Sequence, residues 1–251
     1  MEILNLTGLG VLILAAIYVI RSQRALHNKI GRQTERLAKA IQNLTAQERE
    51  NSKQSTRQIE AFIQLNALLK FTAPLPATRG WVASPDLLLT ISQIVKENKP
   101  KLVVELGSGV STLVVAKSGA KKVISFDGDS EFAQQTRVLL AQHGVRGVEV
   151  RLANLTPYRG GSNWYDPSKF NDLKNIDLLI IDGPQGGDNS DARYPALEVL
   201  KDRLSKRAII VLDDVNRTGE RKLSEDFAKA LPNHKLQILD HEKTTAIISP
   251  K

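Results

Sequence analysis

Short apolar runs alternate with longer mixed segments through the C-terminal part of the chain. Five runs rich in Val and Ile read KLVVEL, KKVISF, VEVRLA, IDLLIID and AIIVLDD. The segments between them are long enough for crossover helices, as in parallel strands that are buried on both faces. Two last runs, KLQILD and TTAIISP, are separated only by His241-Glu242-Lys243, which is too short for a parallel crossover. The pattern predicts a doubly wound α/β sheet that closes with an antiparallel hairpin.

The N-terminal run over residues 3–20 carries no charged residue in 18 positions. As a helix it would span about 27 Å, close to the ~30 Å hydrocarbon layer of a bilayer. Five basic residues follow it: Arg21, Arg24, Lys29, Arg32 and Arg36. Because such charges tend to remain in the cytoplasm, we predict that residues 1–20 form a single-pass anchor in the cell membrane. The short N-terminus would lie outside and the bulk of the chain inside. A secretory signal peptide and a buried core helix are the alternatives.

Residues 21–71 contain no proline, and their apolar positions recur at helical steps. The stripe consists of Leu26, Ile30, Leu37, Ile41 and Leu44, and it thins over residues 45–58 before it resumes. We predict a helical stalk that self-associates as a coiled coil into a homo-oligomer, with a solvated spacer helix as the alternative. Pro74 and Pro76 end the helix because proline lacks the amide donor. The α/β domain, which follows the anchor and the stalk, is therefore expected over residues 72–251.

Charge and composition exclude several classes of function. The net charge of +8 is concentrated in residues 21–70, which hold ten Lys/Arg against four Asp/Glu. Residues 71–251 hold 25 against 22, so a basic groove for nucleic acid is not expected in the domain. The absence of cysteine excludes thiolate metal sites and a cysteine nucleophile. The four histidines are too scattered to suggest a zinc cluster.

The first predicted strand ends in Glu105 and runs into the turn Gly107-Ser108-Gly109. Glycines allow a sharp turn and let the backbone approach a ligand, while the following helix points free N–H groups toward it. The second predicted strand ends in Asp127, where a carboxylate would accept hydrogen bonds from a ribose. This spacing predicts a nucleotide-type cofactor. A turn that merely enters a helix is the alternative.

The glycine turn, the acids that close the second, fourth and fifth strands, and the terminal hairpin together resemble the class I S-adenosylmethionine-dependent methyltransferases. The resemblance covers residues 84–249. It implies a Rossmann-like seven-stranded sheet of order 3-2-1-4-5-7-6 with strand 7 antiparallel, and S-adenosylmethionine as the cofactor. It also implies that Gly107 and Gly109, with Ser108 between them, lie against the methionine and ribose part of the cofactor. Glu105 would help to orient the amino group, and Asp127 would hold the ribose hydroxyls. Asn154 would lie near the adenine.

Three acids at the ends of strands four and five bring the chain closest to the catechol-type O-methyltransferases. Asp182 ends the fourth strand, and Asp213 and Asp214 end the fifth. The resemblance implies that these three residues bind a divalent cation such as Mg²⁺, with Asp182 as the first candidate for the general base and Asp214 as the second. The chain departs from the family in having Asp214 where an Asn is usual and Gln185 where a lysine is common. Capping of turns by these acids is the alternative.

Residues 158–166 and 183–193 are two long loops at the same predicted edge, and the second is a candidate lid. Trp164 and Tyr165 in the first loop are predicted to stack on a sugar or aromatic acceptor. Arg193, Tyr194 and Arg217 are predicted to recognise an anionic acceptor. The alternatives are that the aromatic residues cover the core and that the charged residues form surface salt bridges.

These features predict a membrane-anchored methyltransferase that acts at the cytoplasmic face. The acceptor is expected to be a hydroxyl oxygen on a small molecule, a glycan or a lipid-linked compound. One alternative is a membrane-tethered scaffold with an inactive methyltransferase-like domain. Another is an NAD-dependent oxidoreductase, but Thr112 stands where its third glycine would be, and the terminal hairpin is foreign to that class.

Overall fold

The computed structural model describes residues 2–80, 82–158, 163–187 and 189–251, with side chains from residue 8 onward. Parts of three predicted segments lie outside the described residues: the side chains of residues 3–7 in the anchor, residues 159–162 in the first loop and Asp188 in the candidate lid. The chain divides into two compact units, Met1–Ser55 and Thr56–Lys251.

Helix α1 spans Glu2–Leu69 and contains the predicted anchor and stalk. Within Gly8–Leu69, one window of 18 residues has a mean hydropathy of 1.5, and none of that window is buried. By length and composition the helix could therefore cross a membrane, although a signal sequence or the core helix of a soluble protein would meet the same criterion. The stalk stripe from Leu26 to Leu44 is exposed as well.

The last part of α1 belongs to the second compact unit, which begins at Thr56. Leu65 and Leu69 are buried in its apolar core, so the unit begins earlier in the sequence than the predicted boundary at residue 72. The helix ends where expected, with Lys70 in a left-handed conformation at φ 49°.

The described part of the second unit is built on a sheet of seven strands. They are β1 (Val103–Leu106), β2 (Val123–Asp127), β3 (Val148–Leu152), β6 (Ile176–Ile181), β7 (Leu204–Leu212), β8 (His234–Leu239) and β9 (Thr245–Pro250). Their order is β3-β2-β1-β6-β7-β9-β8, and β9 is antiparallel to both β7 and β8. The predicted Rossmann-like order 3-2-1-4-5-7-6, with the last strand antiparallel, is confirmed.

Helices cover both faces of this sheet. They are α2 (Pro85–Asn98), α3 (Val110–Lys117), α4 (Ser130–Gln142), α5 (Pro195–Leu200) and α6 (Thr218–Ala230). Alternate strand residues face opposite sides, as in Val103 and Val104 of β1, which belong to different apolar clusters. The first cluster packs against α2, α3 and α4, and the second packs against α5 and α6. The carboxyl ends of β1, β2, β6 and β7 are thereby left as the edge at which a ligand can bind.

A small hairpin was not predicted from the sequence. Strands β4 (Leu155–Pro157) and β5 (Asn163–Tyr165) pair antiparallel between β3 and β6. Trp164 of β5 is fully buried and stacks on Phe170, with 5.2 Å between the ring centroids. The hairpin therefore forms part of the core beside the sheet edge.

A buried carboxylate joins the end of α1 to the start of α2. Asp86 Oδ2 accepts hydrogen bonds from Gln58 Nε2 at 2.7 Å and from the Glu242 amide at 3.0 Å, while Oδ1 accepts one from Ser84 Oγ at 2.6 Å. Burial disfavours the charged form of Asp86, but the hydrogen bonds from Ser84 and Gln58 and the charge of His241 outweigh this cost and lower its pKa. Gln58 and Asp86 are 3% and 6% exposed, so this polar contact is shielded from water.

Replacing Asp86 by alanine is expected to lower the free energy of unfolding by about 2–3 kcal/mol, because buried donors lose their acceptor. Since the folded pKa lies below the usual value of 3.8, the contribution is full above that pH and is lost as the pH falls through the folded pKa. Urea denaturation of the full chain at several pH values measures this.

Asp240→Ala is the matched control, because the Asp240 side chain also pairs with the end of α1, through Arg57, but is 85% exposed. It is expected to cost less than about 1 kcal/mol. Equal losses in the two variants would contradict the assigned role of the buried contact.

Candidate functional site

A cavity of about 510 Å³ opens at the carboxyl ends of β1, β2 and β6. Its walls include the turn after β1, the start of the segment after β2 and the start of the loop after β6. The residues that line it include Gly107, Ser108, Gly109, Asp127, Phe132, Leu139, Leu155, Tyr165 and Asp182. The predicted glycine turn and the predicted acid of β2 therefore share one crevice.

The glycine turn depends on a close approach between two backbone segments. Gly107 has φ 94°, and an added Cβ would lie 3.1 Å from the carbonyl carbon and oxygen of Asp182. Its amide donates to the Phe126 carbonyl at 2.9 Å. An added Cβ at Gly109, by contrast, would meet no atom of the described residues within 4 Å. Gly107 therefore packs the turn against the sheet edge, while Gly109 leaves space in the cavity.

Asp127 closes β2 and contacts the glycine turn directly. Its Oδ2 accepts hydrogen bonds from the Ser108 amide at 3.1 Å and from Ser108 Oγ at 2.5 Å, and its Oδ1 accepts one from the Asp129 amide at 3.0 Å. The side chain is held in place, and each carboxylate oxygen retains acceptor capacity toward the cavity it lines. This arrangement suits the recognition of ligand hydroxyl groups.

Glu105 lies beneath the glycine turn and is fully buried. Its Oε2 accepts hydrogen bonds from Thr112 Oγ1 at 2.5 Å and from Ser125 Oγ at 2.7 Å, and Thr112 Oγ1 accepts one from the Gly109 amide at 3.0 Å. Burial raises the pKa of Glu105. Its Oε1 has no hydrogen-bond partner among the described residues. In this position Glu105 supports the turn through Thr112, and its predicted contact with the cofactor amino group stays a prediction.

The wall beyond Asp127 is apolar. Leu155, which is 41% exposed, and Phe132, which is 52% exposed, line the cavity together with Leu139. Asn154 is exposed, and its carbonyl accepts a hydrogen bond from the Asp166 amide at 3.1 Å. The predicted contact between Asn154 and adenine is untested, whereas the next residue, Leu155, offers a surface for a flat ring. Sequence reasoning missed Leu155 and Phe132, because isolated apolar residues after strands carry no recognisable signal.

The three predicted acids converge at the ends of β6 and β7. Asp182, Asp213 and Asp214 place carboxylate oxygens within 4.8 Å of one another. Asp213 and Asp214 are 2% and 4% exposed. Burial, opposed by Arg193 and reinforced by Asp214, raises the pKa of Asp182. The pKa of Asp213 is also raised, by burial and by both neighbouring carboxylates.

Arg193 extends into this cluster and is only 4% exposed. Its Nη2 donates to Asp214 Oδ2 at 2.9 Å and lies 3.3 Å from Asp182 Oδ1. A divalent cation at the cluster would compete with Arg193 for the carboxylates of Asp182 and Asp214, and it would be repelled by the guanidinium. The carboxylate of Asp213 has no hydrogen-bond partner among the described residues. The residues as arranged therefore do not fit the predicted metal ion.

The other residues predicted to bind the acceptor differ in the exposure of their side chains. Arg217, whose side chain is 57% exposed, pairs with Asp214 at 3.0 Å. Tyr194 donates to Asp226 Oδ2 at 3.0 Å on the surface of α6. Trp164 is fully buried in the core, which was the alternative to its predicted stacking on an acceptor. Tyr165 is 1% exposed and lines the cavity. Of this group, Tyr165 is the residue found in the cavity wall.

Comparisons with known proteins agree with this geometry. A family model described as a methyltransferase domain matches residues 104–215. A structure of the O-methyltransferase from Bacillus cereus in complex with SAH is 18% identical, with a TM-score of 0.54, and the match covers 78% of this chain and 91% of that one. An SAH-bound methyltransferase from Podospora anserina is 16% identical, with a TM-score of 0.52 and coverage of 76% and 88%. A search of curated proteins finds no match.

The matched segment contains the glycine turn, Asp127 and all three clustered acids. The second compact unit has the fold of the class I S-adenosylmethionine-dependent methyltransferases. Within that unit, residues 104–215 are similar in sequence to a methyltransferase domain.

Gly107→Ala is expected to destabilise the chain by about 2–4 kcal/mol, because a left-handed backbone and a backbone contact both oppose a Cβ. Gly119→Ala is the matched control. It has a similar φ of 98°, but an added Cβ would meet no described atom within 4 Å, so only the conformational cost of about 1 kcal/mol applies. Chemical denaturation measures both, and equal losses would argue against the close approach at Gly107.

Proposed function

We propose that the chain is a methyltransferase that moves a methyl group from S-adenosylmethionine to a hydroxyl oxygen. The observation that carries this proposal is that the glycine turn and Asp127, joined by the Ser108 hydrogen bonds, face one cavity of about 510 Å³. The match of residues 104–215 to methyltransferase domains supports the same reaction class.

The residues around the cavity fit this cofactor. Gly109 leaves space beside the turn, where a backbone can approach the amino acid part of a ligand. Asp127 would hold the ribose hydroxyls, and Leu155 and Phe132 offer apolar surface for the base. When bound, S-adenosylmethionine supplies an electrophilic methyl group on a sulfonium.

Methyl transfer requires alignment of the acceptor and exclusion of water more than covalent chemistry by the protein. Asp182 is the best-placed proton acceptor because it lines the cavity and its side chain is 17% exposed. Its carboxylate would take the proton that a hydroxyl acceptor loses. Asp214 is the second candidate, but at 4% exposure it is screened from the cavity. Burial of Tyr165 beside Asp182 helps to exclude water from this side.

We further propose that residues 3–20 anchor the chain in the cell membrane, with the methyltransferase domain in the cytoplasm. The uncharged run, the exposed apolar side chains of α1 and the basic residues that follow support this placement. The acceptor would then be a small molecule, a glycan or a lipid-linked compound available at the inner face. Self-association through the stalk stripe is part of the same proposal.

Titration calorimetry of the full chain with S-adenosylmethionine tests the cofactor assignment. Asp127→Asn is expected to weaken binding roughly tenfold to a hundredfold, since a hydrogen bond to a charged group contributes ~1.5–3 kcal/mol. Gly109→Ala is expected to weaken binding without loss of folding stability, because its methyl group would enter open space.

The other functions are separate outcomes of this experiment. Absence of heat with either S-adenosylmethionine or its demethylated product would favour the scaffold, and heat with NAD instead would favour the oxidoreductase. If binding is found, mass spectrometry of extracts incubated with isotopically labelled methyl donor identifies the acceptor. Labelling that persists unchanged in Asp127→Asn would count against the assigned site.

Membrane attachment is tested by placing two charges in the anchor. The double variant Leu12→Arg/Leu14→Arg is expected to move the chain from the membrane to the soluble fraction, because each central arginine costs ~2.5–3.5 kcal/mol on insertion. Leu37→Arg/Ile41→Arg, on the exposed stalk stripe, should leave the chain in the membrane fraction. Recovery of the unaltered chain in the soluble fraction would contradict the anchor.

A further inference from the structure

We propose that the guanidinium of Arg193 is a built-in cation that takes the place of a divalent metal in the acid cluster of Asp182, Asp213 and Asp214. It would neutralise the cluster permanently and hold Asp182 toward the cavity. The orientation of Asp182 toward the cavity rests on the proposed methyltransferase function. The neutralisation of the acids concerns only the charge balance of this chain.

The guanidinium of Arg193 lies between the ends of two strands. Arg193 Nη2 contacts a carboxylate oxygen at the end of each of two strands, Asp182 on β6 and Asp214 on β7. A planar guanidinium has five N–H donors in a fixed fork, so it can bridge two carboxylates as a metal ion would. The carboxylates of Asp182 and Asp214 are therefore already bridged by a positive group.

Backbone carbonyls hold the Arg193 side chain in place. Arg193 also donates to three backbone carbonyls: Pro184 at 3.4 Å, Asp182 at 3.1 Å and Asp213 at 3.2 Å. Such bonds satisfy the donors of a buried arginine without any further ligand. The loop that follows β6 is thus folded around this side chain, unlike the partly exposed Arg217 at the rim.

Basic side chains offset most of the negative charge of the acids. Glu220 lies 3.8 Å from Arg193 Nε, which brings the acids to four, namely Asp182, Asp213, Asp214 and Glu220. Three basic groups pair with them among the described residues: Arg193, Arg217 and Lys243, the last 3.8 Å from Asp213 Oδ2. The cluster approaches neutrality without a metal, and an added divalent cation would leave an excess of positive charge.

The position of Arg193 affects how the acceptor oxygen would be bound. A metal ion at the cluster could bind the acceptor oxygen directly, whereas Arg193 lies behind Asp182 and does not line the cavity. Arg193 is therefore a positioning residue, and the acceptor oxygen meets the carboxylate of Asp182. An acceptor with a single hydroxyl suffices, because no second oxygen is needed to chelate a metal.

Binding of Mn²⁺ to the full chain, followed by electron paramagnetic resonance, tests the proposal without any use of methyl transfer. The unaltered chain is expected to show no binding at the cluster. Arg193→Gln is expected to gain at least tenfold in Mn²⁺ affinity and to recover part of its lost thermal stability when Mn²⁺ is added, because the unpaired carboxylates become free to bind the ion. The double variant Arg193→Gln/Asp214→Asn should lose the gained affinity.

Two control variants keep the result decisive. Arg193→Lys retains a cation and should not gain Mn²⁺ binding, and Arg217→Gln, which removes the exposed partner of the same Asp214, should behave like the unaltered chain. Mn²⁺ binding by the unaltered chain that Asp214→Asn abolishes would overturn the proposal, as would a folded Arg193→Gln with no gain. If Arg193→Gln does not fold, Mn²⁺ binding by the unaltered chain and by Arg193→Lys decides whether the proposal holds. None of these outcomes depends on cofactor binding, so failure of the proposed function is seen separately.

Discussion

The backbone contact at Gly107 is the constraint on which the site depends. Because Gly107 has no Cβ, the turn after β1 can lie against the carbonyl of Asp182 at the end of β6. The same turn places Ser108 beside Asp127 at the end of β2. The Asp127 wall of the cavity and the end of β6 at Asp182 are thus connected through this one turn.

Much of the fold could be predicted from the sequence because its signals are local. The Val- and Ile-rich runs marked the strands, and the short connection His241-Glu242-Lys243 required an antiparallel last pair, as β8 and β9 show. The turn at Gly107 and the acid Asp127 could also be predicted, since Gly107 directly follows β1 and Asp127 is the last residue of β2. That they share one crevice depends only on β1 and β2 being neighbours, which the parallel pattern implies.

The remaining features depend on contacts between distant residues. The hairpin of β4 and β5 has strands of three residues each, too short for a periodic pattern, and the burial of Trp164 follows from Phe170 lying beside it. Leu65 and Leu69 continued the apolar stripe of the stalk, so the sequence did not show that they pack into the domain core. Arg193 was predicted to recognise an anionic acceptor, with a surface salt bridge as the alternative, because a single arginine after a polar loop looks the same in sequence whether it points outward or inward.

The buried position of Arg193 affects how acid clusters at sheet edges are interpreted. Parallel strands end at a common edge, so the fold itself gathers Asp182, Asp213 and Asp214 whatever neutralises them. The compensating charge is supplied separately, from a loop whose length and packing the strands do not determine. A metal ion would leave the cluster open to exchange with solvent ions, whereas Arg193, held by three backbone carbonyls, is part of the folded chain. The three acids therefore mark the carboxyl edge of the sheet, and Arg193 is the buried cation that lies against two of them.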